Sequence, residues 1–197
     1  MKKLAILLGG ATLLAACATN TATVAPPAVA VDPNNPLFAP GYMATAGSSD
    51  QFEIQSSQLA LQMSQNPQLR NIAQMLITDH TRSTQMVVAA AQSAGITPPP
   101  PSLLPQHQAL LDQLRAAGTG AAFDSAFRDI QIQAHQQALA LHQNYAAQGV
   151  VPALRTVAGQ IAPVVQNHLN ALQGLQMMPP APPPMAPPPP GRSGERG

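Results

Sequence analysis

Residues 66–95 read NPQLRNIAQMLITDHTRSTQMVVAAAQSAG, and this stretch decides the fold. Asn66 before Pro67 is a helix start: the asparagine side chain accepts from free first-turn amides, and proline loses nothing where its missing N–H would have no helical partner. Gly95 is a good stop, because glycine takes up the left-handed conformation that ends many helices. Pro98 to Pro101 then forbid continuation. Between these signals Leu69, Ile72, Ala73, Leu76, Ser83 and Val87 recur at helical spacing and share one face. His80 falls in the middle of that face. The stretch is therefore a long amphipathic helix that carries an imidazole toward its packing partners.

The neighbouring sequence has the same character. It is rich in Ala, Gln and Leu, has no tryptophan, and shows no run of alternating β-branched residues, so helix is the only strong expectation. A first helix is expected over residues 49–64, with Phe52, Ser56, Leu59 and Met63 on one face. A short helix is expected over 105–117, stopping at Gly118-Thr119-Gly120. Two further long helices are expected over 121–147, stopping at Gly149, and 152–177. Four long helices joined by short turns and one longer crossover imply an all-α four-helix bundle with a short extra helix in the crossover.

The flanks are built differently. Met1-Lys2-Lys3, an apolar run from Leu4 to Ala16 and then Cys17 have the charged start, short greasy core and small-residue cleavage site of a secretory signal. The run is too short to span a bilayer as a stable helix. Leu14-Ala15-Ala16-Cys17 looks like a lipobox, at which bacterial lipoproteins are acylated on the cysteine and cleaved; an ordinary secretory signal with a chance cysteine is the alternative. Cys17 is the sole cysteine, so no internal disulfide competes for the thiol. Residues 1–16 are thus read as signal peptide, 17–47 as a flexible lipid-anchored tether, 48–177 as the bundle, and 178–197 as a disordered proline-rich tail. The absence of an aspartate after Cys17 favours an outer-membrane anchor facing the periplasm. Cleavage removes Lys2 and Lys3 from nine basic residues and leaves seven against eight acidic ones, a formal charge of −1. That is no footprint for nucleic acid. The implied partner is a membrane, reached through the lipid; a protein partner is left open, the proline-rich tail being a spacer or a polyproline ligand.

Histidine placement carries the chemistry. On the last helix Leu154, Val157, Ile161, Val165 and Leu172 share a face, and His168 falls well inside it. The 121–147 helix has Phe123, Phe127, Ile130, Ala134, Ala138, Leu141 and Tyr145 as its stripe, with His135 and His142 on one flank. His107, between Gln106 and Gln108, reads as a surface residue. Three long helices therefore aim an imidazole at or near the interior, where its ring nitrogens need partners. Each is either paired with a carboxylate or carbonyl, or the set converges on a metal ion, since bundle cores are a common place to build such sites. Glu53 stands on the flank of the first helix as a fourth ligand or a histidine's hydrogen-bond partner. Asp79 points about 100° away from His80, which makes it a poor second ligand to the same ion and places it outside the core.

Phe52-Glu53-Ile54 with Leu59-Ala60, then Asp79-His80-Thr81, then Phe123-Asp124-Ser125-Ala126-Phe127 with Gln131 and His135, then Pro163 with His168-Leu169 resemble, in that order and spacing, the domain-of-unknown-function family 4142. The resemblance covers roughly residues 47–175. It implies an exported bacterial protein, often a lipoprotein, with a ferritin-like four-helix bundle. It singles out Glu53, His80, His135 and His168; Phe127 stands where the pattern usually has tyrosine.

Three classes of function follow. The first is a metal-binding bundle in a protective or storage role, with His80, His135 and His168 as nitrogen ligands and Glu53 near them, suited to zinc, copper, nickel or iron. A ferritin-type di-iron oxidase needs several glutamates and a Glu-x-x-His motif, and the folded region has one glutamate and no such motif. Met63, Met75 and Met86 suggest soft copper(I) ligation or, more simply, core filler. The second is a non-catalytic envelope module whose histidines form a structural polar network. The third, a hydrolase, has least support, since no Gly-x-Ser-x-Gly elbow, phosphate loop or His-Glu-x-x-His motif appears. Ring nitrogens more than about 8 Å apart would exclude a shared ion, given bonds of about 2 Å.

Overall fold

The computed structural model describes residues 32, 34–100 and 102–177. The signal segment with Cys17, the tether as far as residue 31 and the proline-rich tail from residue 178 lie outside the described residues. Five helices follow in order: α1 Ala39–Met63, α2 Pro67–Ser93, α3 Pro105–Ala116, α4 Ala121–Gln148 and α5 Pro152–Gln173. No helix among the described residues is long and apolar enough to cross a membrane.

The helix ends obey local chemistry. Asn66 Oδ1 accepts from the amides of Gln68 (3.0 Å) and Leu69 (3.3 Å), capping α2. A proline sits in the first turn of α1, α2, α3 and α5. At the other end of α2, Gly95 has φ 71° while its amide donates to Gln92 O and the Ile96 amide reaches back to Ala91 O. That pair of bonds is a Schellman motif, and it satisfies carbonyls the helix would leave bare.

α1 begins ten residues earlier than the expected start at 49, which corrects the tether boundary at 47. Residues 39–48 carry a proline, two glycines and a threonine and look like linker, but Tyr42, Met43 and Ala46 are buried there. Tertiary packing overrides weak propensity. Gly41 is required because a Cβ would collide with the Asn35 carbonyl oxygen.

The core falls into two clusters. One holds Tyr42, Met43, Ala46, Val87, Ala91, Tyr145, Leu154 and Ile161; the other holds Phe52, Leu69, Leu76, Leu111, Phe123, Phe127 and Leu172. The first cluster takes the starts of α1 and α5 and the ends of α2 and α4, and the second takes the reverse. α1 and α5 therefore run one way, and α2 and α4 the other. Because α2 and α4 are parallel, the chain must travel the length of the bundle between them, and the crossover carrying α3 does so. α1 packs on α2 and α4, α5 packs on α2 and α4, and α3 lies against α1 and α4. This is a ferritin-like four-helix bundle with an extra helix in the crossover, as the sequence implied.

The α4–α5 turn is tightly built. Gly149 O accepts from Arg155 Nη1 (2.8 Å), and a Cβ at Gly149 would lie 2.5 Å from two ring carbons of Tyr145. Gly149→Ala is expected to cost about 1–3 kcal/mol in urea denaturation, because the buried ring has no room to withdraw. An unchanged midpoint would show that the ring moves freely.

Candidate metal centre

Between the two apolar clusters every long helix turns polar at the same height. α1 contributes Asp50 and Glu53, α2 His80 and Ser83, α4 Gln131 and His135, and α5 His168, all buried. His80, His135 and His168 are 3%, 0% and 1% exposed. One ring nitrogen of each lies within 4.8 Å of the others, well inside the 8 Å limit set above. The ring centroids form a near-equilateral triangle of 5.2–5.5 Å. A tetrahedral ion with bonds of about 2.0–2.1 Å holds its nitrogens about 3.3 Å apart, so each ring would close by less than about 1 Å.

The outer nitrogen of each ring is already engaged. His80 Nδ1 donates to Asp50 Oδ1 (2.8 Å), His135 Nδ1 to the Gln131 carbonyl (2.9 Å), and His168 Nε2 to Asp79 Oδ2 (2.9 Å). Carbonyls and carboxylates only accept, so the proton of each neutral imidazole is fixed on that outer nitrogen. The remaining atoms, His80 Nε2, His135 Nε2 and His168 Nδ1, are buried without a hydrogen-bond partner. They present three lone pairs. This is the tautomer control that metal-ligating histidines receive from outer carboxylates and carbonyls. Asp50 is held in turn by Thr84 Oγ1, which donates to Oδ2 (2.9 Å).

Electrostatics fit the same reading at His135 and His168 and oppose it at His80. Burial, reinforced by the charges of His80 and His168, holds the His135 imidazole well below its ordinary range, in the neutral form that ligates. His168 is also lowered, by burial, with Asp79 opposing. Burial pulls His80 down too, but Asp50, Glu53 and Asp79 together outweigh it and raise the ring. Glu53 is fully buried with neither oxygen hydrogen-bonded. Burial pushes its carboxyl up to about 8, with His80 opposing and Asp50 reinforcing.

Of the four residues singled out from sequence, the three histidines come together. Glu53 stands behind them, with Oε1 3.5 Å from His135 Nδ1, outside the group of three. Asp79 avoids His80, as its angle required, but it is not idle outside the core: it crosses to α5 and orients His168. His107 is not a surface residue. At 5% exposure it stacks on Phe52 and accepts at Nδ1 from Ser48 Oγ (2.6 Å), because the crossover folds α3 onto α1. His142 accepts at Nδ1 from the Tyr42 hydroxyl (3.0 Å), and burial lowers it to about 4. Met63 and Met75 pack on one apolar cluster and Met86 on the other, which makes them filler.

Asp50 was missed. In sequence it reads as a residue at the start of the first helix; once α1 begins at Ala39 it is mid-helix, one turn before Glu53 and on the same face. That i, i+3 pair of acids was the available signal.

A buried tri-histidine layer in a four-helix bundle defines the class of molecule. The chain belongs to the family DUF4142, described as "Domain of unknown function (DUF4142)", whose sequence model matches residues 24–175. Two solved structures are similar. CopM in the Cu(II)-bound form matches with TM-score 0.59 at 20% identity, covering 70% of this chain and 94% of that one. CopM in the Ag-bound form, obtained by co-crystallization, matches with TM-score 0.57 at 20% identity, covering 70% and 93%. At that identity the likeness establishes a shared fold. No curated protein sequence matches significantly.

Proposed function

We propose that this chain is a lipid-anchored protein of the bacterial envelope whose bundle binds one transition-metal ion through His80, His135 and His168. One observation carries the metal reading: three unpartnered ring nitrogens from three helices face one another while each outer nitrogen is tied to an acceptor. A purely structural network would pair its members, since a buried unsatisfied acceptor costs about 1–3 kcal/mol. The lipobox ending at Cys17 supports the anchor.

All-imidazole ligation suits zinc, copper, nickel or iron, and the Irving–Williams order puts copper(II) first in affinity. The copper and silver named for the two CopM structures favour a late transition ion. One enclosed ion per chain suits protective sequestration better than bulk storage. Asp50, Gln131 and Asp79 would orient the ligands, and Glu53 would supply a nearby carboxylate.

Metal analysis of untagged protein equilibrated with Zn(II) or Cu(II) tests this. The expected result is one ion per chain, lost in the variant carrying His80→Ala, His135→Ala and His168→Ala together. Equal metal content in the two proteins overturns the site.

A further inference from the structure

The three histidines and their partners on α1 and α4 are almost wholly buried: Glu53 and Gln131 are fully buried, and Asp50, which with Thr84 and Val87 borders a hollow beside α1, is only 2% exposed. Asp79 differs. Its side chain is 34% exposed while its Oδ2 accepts from His168 Nε2, so it touches the site on one side and solvent on the other. Asp79 also lines a cleft of about 440 Å³ between α2 and α5, together with Arg82, Ser83, Met86, Gln160 and Val164. On its inner side Ser83 follows His80 by three residues, and its buried Oγ has no hydrogen-bond partner. The cleft thus offers a carboxylate and a free hydroxyl as donors to a cation, and the Asp79–His168 hydrogen bond links it to the three free imidazole nitrogens.

Resting on the metal-binding reading, we propose that this cleft is the port of the site. A divalent ion is captured first by the Asp79 carboxylate, passes Ser83 and is transferred to His168 and its two neighbours. The hydrogen bond to Asp79 makes His168 the ring at the threshold. Swinging it outward opens the layer without disturbing the buried anchors of His80 and His135. Arg82 on the rim sets a positive charge against cation entry, so it slows loading. Asp79 is a capture and positioning residue; no bond-making chemistry is assigned to it.

The test is stopped-flow loading of the full-length, metal-free protein with Zn(II), followed by a metallochromic indicator, and chelator-driven release in the reverse direction. Asp79→Asn keeps an acceptor for His168 but removes the charge, and is expected to slow loading by about tenfold or more, the scale of electrostatic focusing. Arg82→Gln is expected to speed it. Val164→Trp crowds the mouth at a half-exposed position on the rim of the cleft, one turn before His168. It is expected to slow loading and release by the same factor, leaving the equilibrium affinity unchanged. Asp50→Asn is the contrast: it weakens affinity through faster release with loading near wild type, because Asp50 orients His80 and lies away from the α2–α5 cleft.

Wild-type loading rates in both Asp79→Asn and Val164→Trp overturn the port while leaving the metal site standing. Failure of the wild-type protein to bind Zn(II) at all removes the metal reading itself. Slower loading in Val164→Trp with a matching loss of affinity means that the site is distorted, and it also counts against the port.

Discussion

Saturating Zn(II) or Cu(II) is expected to raise the thermal midpoint of the metal-free protein by roughly 12–16 °C. An ion held a thousandfold above its dissociation constant adds about 4 kcal/mol, and a domain of this size moves roughly 3–4 °C per kcal/mol. Without metal, three buried lone pairs face one another unpaired, and ligation removes that cost as well as adding bonds. The informative partner is His135→Leu. It abolishes the metal-dependent rise, yet its metal-free form is expected to melt at or above wild type, because an apolar side chain replaces an unpaired acceptor in a layer bounded by hydrocarbon. A large metal-dependent rise in His135→Leu, measured by calorimetry, would show that the ion binds elsewhere. A metal-free His135→Leu far less stable than wild type would mean that the imidazole is already satisfied without an ion.

The second large effect lies in the first turns of α1. Tyr42→Ala is expected to cost about 4 kcal/mol in denaturant unfolding, a large share of the roughly 5–15 kcal/mol available to a domain. Tyr42 is fully buried, its ring stacks on Tyr145 with centroids 3.8 Å apart, and its hydroxyl donates to His142. Truncation opens a cavity and strips a buried imidazole of its donor at once. Tyr42→Phe separates the two terms, because it removes only the hydrogen bond and is expected to cost about 1 kcal/mol. A loss below 1 kcal/mol for Tyr42→Ala would return the first turns of α1 to the status of a linker.

These two sites also show what was readable in advance. α2 was legible almost to the residue because Asn66, Pro67 and Gly95 each do one local job that composition reveals. The convergence of His80, His135 and His168 followed from helical periodicity, since each sits on the apolar stripe of its own helix or beside it. The start of α1 was not legible: its first two turns owe their helicity to Tyr145 and the Asn35 backbone, contacts more than a hundred residues and a few residues away respectively. Asp50 was hidden by the same error. His107 was misjudged, and the reach of Asp79 to His168 went unseen, for a different reason. Whether a polar side chain is buried depends on which helix arrives opposite it, and the path of the crossover and the α2–α5 pairing are tertiary facts.

The polar layer at mid-height has a consequence beyond ligand binding. Hydrophobic stripes of alanine and leucine are nearly self-similar from turn to turn, so helices built from them can slide past one another at little cost. Here a slip of one turn, about 5.4 Å, would carry an imidazole or a carboxylate into the hydrocarbon above or below and strand its partner. Asp50 with His80, and Asp79 with His168, therefore act as a ruler between helices. They fix the vertical register of a core whose apolar residues leave it ambiguous, and they do so before any ion arrives.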